Sequence, residues 1–239
     1  MSRNSFRTST GRSVTAVTAH EMRDVDRVAV EDVGLQLLQM MENAGRVLAW
    51  HVRDARDGDV IVVAGSGGNG GGGLTCARHL ANRDIPVQVV LDRPPAELSG
   101  AVAHQCRILN EMNVSVISGV ESLADADGRA TIVDALIGYG LSGEVRPPAD
   151  KYIDRMNDRS GPTVSLDVPS GIDATTGEAL GEAVAPARTV TLALPKTGLD
   201  APTGELYLAD ISIPRTVYDR IGIEYEPPFG DADWVRLEQ

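Results

Sequence analysis

The sequence predicts an α/β fold with a mostly parallel sheet covered on both faces, and three observations carry that expectation. Apolar, β-branched runs alternate with helical patterns of roughly ten residues between Val60 and Val168, which is the rhythm of βαβ units. One run, Val60–Ala64, leads straight into Gly65-Ser66-Gly67-Gly68-Asn69-Gly70-Gly71-Gly72-Gly73. Two later runs end in a carboxylate and turn residues, at Asp134 and at Asp167.

The elements follow in order. His20 to Asp32 reads as a helix, with Met22, Val25, Val28 and Ala29 at helical spacing and Thr18 and Glu21 spaced as a capping box. Gly34 breaks it, and a second helix is expected from Leu35 to Arg56, with Met41, Ala44, Val47 and Leu48 on one side. Strands are then expected at Val60–Ala64, Val87–Leu91, Val114–Ile117, Thr131–Leu136 and Thr163–Val168. Helices are expected between them at Gly73–Asn82, Gly100–Met112, Glu121–Ala126 and Asp150–Asn157. After Ser170 the rhythm changes: Arg188–Leu194 and Leu206–Ile211 read as strands joined by Pro/Gly-rich loops, one of them expected to run antiparallel at an edge.

The 239 residues suit one large domain, 14–239, preceded by a polar stretch, Met1 to Ser13, expected to be a disordered tail. A formal net charge of -12 argues against nucleic acid and anionic membranes as partners. No apolar stretch approaches the roughly 20 residues of a membrane span. Two cysteines, Cys76 and Cys106, fit small buried hydrophobes in a reducing, cytoplasmic compartment.

Chemistry is expected where strands end. Gly65-x-Gly67-x-x-Gly70 matches the dinucleotide fingerprint, with Asp92 placed as a ribose-binding acid, and a strand–glycine–helix junction offers N–H groups to phosphate. In a parallel sheet the ends of Val60–Ala64, Thr131–Leu136 and Thr163–Val168 share one edge, so Asn69, Asp134, Asp167 and Ser170 can converge there. Their oxygens suit a hard cation. Lys196 follows a strand, and a phosphate contact and a solvated loop charge are equally open for it. The four histidines lie in helical patterns away from these strand ends.

Together these motifs resemble the YjeF N-terminal domain family, the NAD(P)H-hydrate epimerases. The likeness runs from about Val17 to Ile213. Thr18 to Asp26 looks like the family's first helix, and Met40-Met41-Glu42-Asn43-Ala44-Gly45 like its "LMENAG" segment. The glycine run is similar to "GxGNNGGDGL", Asp134 to Pro147 to "DALFGTGLxGEVREP", Leu166 to Asp173 to "LDIPSGID", and Thr191 to Leu199 to "TxxxxKxGL".

The resemblance implies a single-domain, three-layer α/β/α Rossmann-like sandwich, often a homodimer, with N-terminal helices. It implies epimerisation of hydrated NADH or NADPH, a damaged cofactor with water added to its nicotinamide ring. It implies substrate contacts at Gly68, Asn69, Gly70, Gly71 and Gly72, at Gly138, Tyr139, Gly140, Leu141, Ser142, Gly143 and Glu144, and at Asp167. Potassium ligands would fall on Asn69, Asp134 and Ser170, and a dehydratase would act in the same pathway. The hydrate carries a hydroxyl beside the ring nitrogen, so inversion needs loss and return of oxygen, or ring opening and closure. Asp167 is the expected acid/base.

The chain departs from the family at Gly68 and Gly72, where an amide and a carboxylate are replaced. That departure leaves a non-catalytic nucleotide-binding or partner-binding protein of the same fold as the competing reading. A conventional NAD-dependent oxidoreductase ranks last, for want of a Tyr–Lys or His pair to handle the substrate proton.

Overall fold

The computed structural model describes residues 5–123, 128–200 and 204–238. Its strands are β1 (Ser5–Thr8), β2 (Ser13–Thr15), β3 (Val60–Ala64), β4 (Val87–Leu91), β5 (Ser115–Ser118), β6 (Thr131–Ala135), β7 (Thr163–Leu166), β8 (Arg188–Leu192), β9 (Glu205–Ala209) and β10 (Trp234–Glu238). The helices are α1 (Ala19–Arg27), α2 (Leu37–Ala55), α3 (Gly68–Ala81), α4 (Gly100–Glu111), α5 (Ala149–Asn157) and α6 (Arg215–Arg220). All the strands join one sheet in the order β2-β1-β10-β9-β8-β7-β6-β3-β4-β5.

From β9 to β5 every neighbouring pair is parallel. β3 is buried along its whole length because both its faces are covered. Val60, Val62 and Ala64 pack with Val47, Leu48, Leu74 and Leu80 of α2 and α3. Ile61 and Val63 face Tyr152, Ile153 and Met156 of α5. A third cluster joins Met22 and Val25 of α1 and Val217 and Tyr218 of α6 to Leu194 and Ile211, which follow β8 and β9. That cluster brings α1 to the C-terminal edge of the sheet.

Five expectations need correction. The tail is not free from Ser5 on: β1 pairs with β2 and β10, and Phe6 is buried with Leu206, Leu208 and Leu237. The two late strands, β8 and β9, run parallel, and the antiparallel edge is built by β10, β1 and β2. The first helix keeps its Thr18–Glu21 capping box but passes into a π-helical turn over Val28–Asp32. Helix α3 begins at Gly68, inside the run read as a loop. The expected helix Glu121–Ala126 is a 3-10 turn over Val120–Leu123, and its remaining residues lie outside the described ones.

The glycines explain that early helix start. A Cβ on Gly70 would lie 1.7 Å from the Gly65 carbonyl oxygen, and one on Gly73 would lie 2.5 Å from the Ala135 Cβ. α3 therefore lies directly on the ends of β3 and β6, closer than any side chain permits. Much of the glycine excess serves helix–sheet contact rather than a ligand.

Candidate active site at the strand switch point

Chain order places β4 and β5 on one side of β3, and β6 to β9 on the other. The crevice between the β3 and β6 ends is thus the topological switch point, where open parallel sheets bind ligands. A cavity of about 460 Å³ opens there. Gly67, Gly68 and Asn69 at the start of α3 line it, as do Leu136 to Gly140 after β6, Asp167 after β7 and Lys196 after β8. Helices α1 and α2 close it with Met22, Arg23, Asp26, Leu37, Met40 and Met41.

Asp167 is the best-defined group in this cavity. Its φ is +68°, a left-handed backbone that costs a non-glycine residue about 1–2 kcal/mol. The backbone N–H of Asp167 donates to Val190 O (2.7 Å), which holds the residue at the strand end. Its carboxylate accepts from the backbone N–H of Tyr139 (3.1 Å) and ion-pairs with the Lys196 ammonium. That ammonium also donates to Leu192 O (2.9 Å) and is 1% exposed, so it is a buried partner of Asp167 rather than a solvated loop charge. Lys196 was only partly legible in the sequence. Its signal was its place after a strand, without any sign of which group it would meet.

Asp134 and Ser170 lie behind the cavity wall rather than on it. The fully buried Asp134 carboxylate accepts from Ser165 Oγ (2.8 Å), Ser170 N–H (2.9 Å), Ser170 Oγ (2.6 Å) and Leu136 N–H (3.3 Å). Burial pushes its pKa above the usual carboxylate range, against the pull of those donors. Ser170 Oγ also accepts from the Ile137 N–H (2.8 Å), so this cluster braces the turn that carries Gly138 to Gly140. Asn69 stands beside that turn: its Oδ1 and Asp167 Oδ2 would lie 3.0 and 3.2 Å from a Cβ on Gly138. The Asn69 Nδ2 is buried without a hydrogen-bond partner.

Other expected site residues fall elsewhere. Gly70 and Gly71 are turned to packing, with a Cβ on Gly71 only 2.4 Å from Met41 Cε. Leu141, Ser142, Gly143 and Glu144 do not line the cavity. The chain leaves the strand end after Gly140, and Val145 is drawn away by its bond to Leu180 O (2.8 Å). Asp92, read as a ribose acid, pairs instead with Arg93 (3.0 Å) outside the cavity. Sequence reasoning missed Asp26 as a site residue. It reaches the cavity from α1 and accepts a hydrogen bond from the Tyr139 hydroxyl.

A family model described as YjeF-related protein N-terminus matches residues 37–198. An NAD(P)H-hydrate epimerase of Dehalogenimonas lykanthroporepellens is 43% identical over 242 residues, covering 97% of this chain and 96% of that protein. A bifunctional NAD(P)H-hydrate repair enzyme of Salinibacter ruber is 40% identical over 226 residues, and the match covers 85% of this chain and 42% of that longer protein. The crystal structure of yeast ynu0, YNL200c, superposes with a TM-score of 0.81 at 27% identity, over 93% of this chain and 100% of that one.

Proposed function

The chain belongs to the family of the YjeF-related protein N-terminus, and from that premise we propose that it epimerises the R and S forms of hydrated NADH and NADPH. The observation that carries the proposal is Asp167, strained, ion-paired and presented to the cavity at the switch point. The ring nitrogen of the hydrate assists departure of the neighbouring hydroxyl, so the protein has to manage a proton and shield a cation. Asp167 is the acid/base for that proton. Lys196 fixes the carboxylate, and the Tyr139 N–H orients its second oxygen. Apolar walls at Leu37, Met40, Met41 and Leu166 suit the ring. The N-terminus of α3, at Gly67, Gly68 and Asn69, and the exposed Arg23 suit the phosphates.

A binder without turnover is disfavoured on the same geometry. Gly68 and Gly72 strip side chains from one wall but leave Asp167, Lys196 and the cavity in place. The decisive assay follows interconversion of the separated epimers; a rate above the spontaneous one is expected, and none above it contradicts the proposal.

We further propose potassium as the ion, held by Asn69, Asp134 and Ser170. The donors are oxygens, and Asp134 is a buried carboxylate whose hydrogen-bond partners among the described residues are hydroxyl and amide groups. These residues fit a hard monovalent cation. When bound, it would neutralise Asp134 and fix the 136–140 turn. Thermal midpoints should be higher in potassium chloride than in choline chloride at equal ionic strength, and Asp134→Asn should remove the difference. An equal midpoint in both salts would count against the ion.

The family reading also carries a homodimer, a separate dehydratase acting on the same damaged cofactors, and a cytoplasmic setting. Both cysteines are free and buried, and among the described residues no helix is long and apolar enough to cross a membrane.

A further inference from the structure

Inversion by loss and return of oxygen needs a proton donor where the hydroxyl leaves and a proton acceptor where water returns on the other face. Asp167 supplies only one of these at a time. Among the described residues two carboxyl groups line the cavity, in unlike surroundings. Asp167 extends from the sheet onto a buried ammonium. Asp26 extends from α1 and is in no ion pair among the described residues; its partner is the neutral phenol of Tyr139. Resting on the epimerase reading, we propose that Asp26 is a second proton-transfer group of this site, the acid that complements Asp167.

The surroundings of Asp26 agree with that role. Burial, and the nearby Asp167 charge, raise its pKa, while the Tyr139 hydrogen bond and Lys196 lower it, and the balance is upward. Arg23 on its own helix and Tyr218 on α6 are the other titratable groups in electrostatic reach of the Asp26–Tyr139 pair. Burial and Asp26 itself hold Tyr139 protonated, so the phenol remains a donor. Asp26 is therefore biased to carry a proton, while the other carboxyl of the cavity is paired with an ammonium. That is the division of labour acid/base pairs use.

In one direction, Asp26 gives its proton to the hydroxyl as the C–O bond breaks, releasing water and leaving the ring as an iminium cation. Water then adds to the opposite face, the new C–O bond forms, and the Asp167 carboxylate takes its proton. Nothing is oxidised or reduced. The reverse reaction uses the two groups in exchanged roles, and the free enzyme resets when a proton passes from Asp167 back to Asp26 through solvent.

The test compares pH profiles of kcat/KM for wild type, Asp26→Asn and Tyr139→Phe, with NADP+ affinity measured alongside. The wild-type profile should fall at higher pH, as Asp26 loses its proton. Asp26→Asn should lower kcat on the order of 100-fold or more and lose the high-pH limb, with NADP+ affinity held. Tyr139→Phe removes a hydrogen bond that lowers the Asp26 pKa, so its high-pH limb should move upward. That variant keeps the ring, which tests the inference even if Asp26→Asn folds poorly. A wild-type protein without turnover overturns the epimerase reading and this inference together. Turnover that survives Asp26→Asn with its high-pH limb intact, or a Tyr139→Phe limb that stays in place, overturns this inference alone.

Discussion

Asp167 joins three costs in one residue: a left-handed backbone, a buried carboxylate and a buried ammonium beside it. Asp167→Asn should abolish epimerisation and leave the Lys196 ammonium without its counter-ion. Losing one member of a buried pair costs about 3–5 kcal/mol. Urea denaturation measures it, and a change under about 1 kcal/mol would contradict the pairing described. Gly68 and Gly72 differ in the room around them. A Cβ on Gly68 meets nothing within 4 Å, whereas one on Gly72 comes 2.7 Å from Leu166 Cδ2. Gly68→Asn should fold with an unchanged midpoint, while Gly72→Asp requires the Leu166 tip to move and should lower it. Equal midpoints for both variants would refute this steric reading. His51 is a third case. Packed among Trp50, Tyr207 and Trp234, it is held neutral by burial and by the nearby Arg188, its pKa lowered to about 3. Unfolded, the same group takes up a proton below its ordinary 6.5. Its contribution to stability is therefore full above pH 6.5 and is lost toward pH 3, by about 1.4 kcal/mol per pH unit. Buried Asp134 and half-buried Asp26 shift the other way, so the effect is read as a difference: His51→Gln should flatten the acid-side slope relative to wild type.

At the scale of elements, the parallel core was legible because its central strands β3, β6 and β7 are buried on both faces and read as mostly apolar runs. The edge was not. β1 and β2 are short, and their hairpin joins the sheet only through β10 at the far end of the chain, as in the pairing of Arg7 with Glu238, so no local pattern announces the edge. The start of α3 was hidden for the opposite reason. Four consecutive glycines disfavour a helix by local propensity, yet contact with β3 and β6 demands them. Gly73→Ala should thus destabilise despite alanine's better helix propensity, because its Cβ would press on Ala135 and Val62. Overpacking of this kind costs about 1–3 kcal/mol, and a stabilised variant would show that propensity governs instead. Glu42 adds a second tie between elements. From α2 it accepts from Arg78 and bonds His79 Nε2 at 2.8 Å, clamping α3 in place. The carboxylates at strand ends were legible for a topological reason, since parallel strands deliver their C-termini to one edge. Lys196 and Asp26 were not, because their meeting with Asp167 and Tyr139 depends on how the loop after β8 and helix α1 fold over that edge.

On the scale of the whole molecule, 34 acidic residues face 22 basic ones. Self-repulsion of that excess is screened by salt, so the thermal midpoint should rise between low and moderate ionic strength. A cavity proposed to take a phosphate-bearing substrate within so acidic a protein needs its own local donors, for which the α3 N-terminus and Arg23 are placed on its wall. The switch-point cavity and the Asp167–Lys196 pair within it are the features on which the proposed epimerisation depends. The most direct test measures the rate at which purified R and S hydrates of NADPH interconvert with wild type and with Asp167→Asn, at equal nucleotide occupancy. Interconversion well above the spontaneous rate is expected for wild type, and a return to that rate for the variant. Wild-type turnover retained in Asp167→Asn would contradict it.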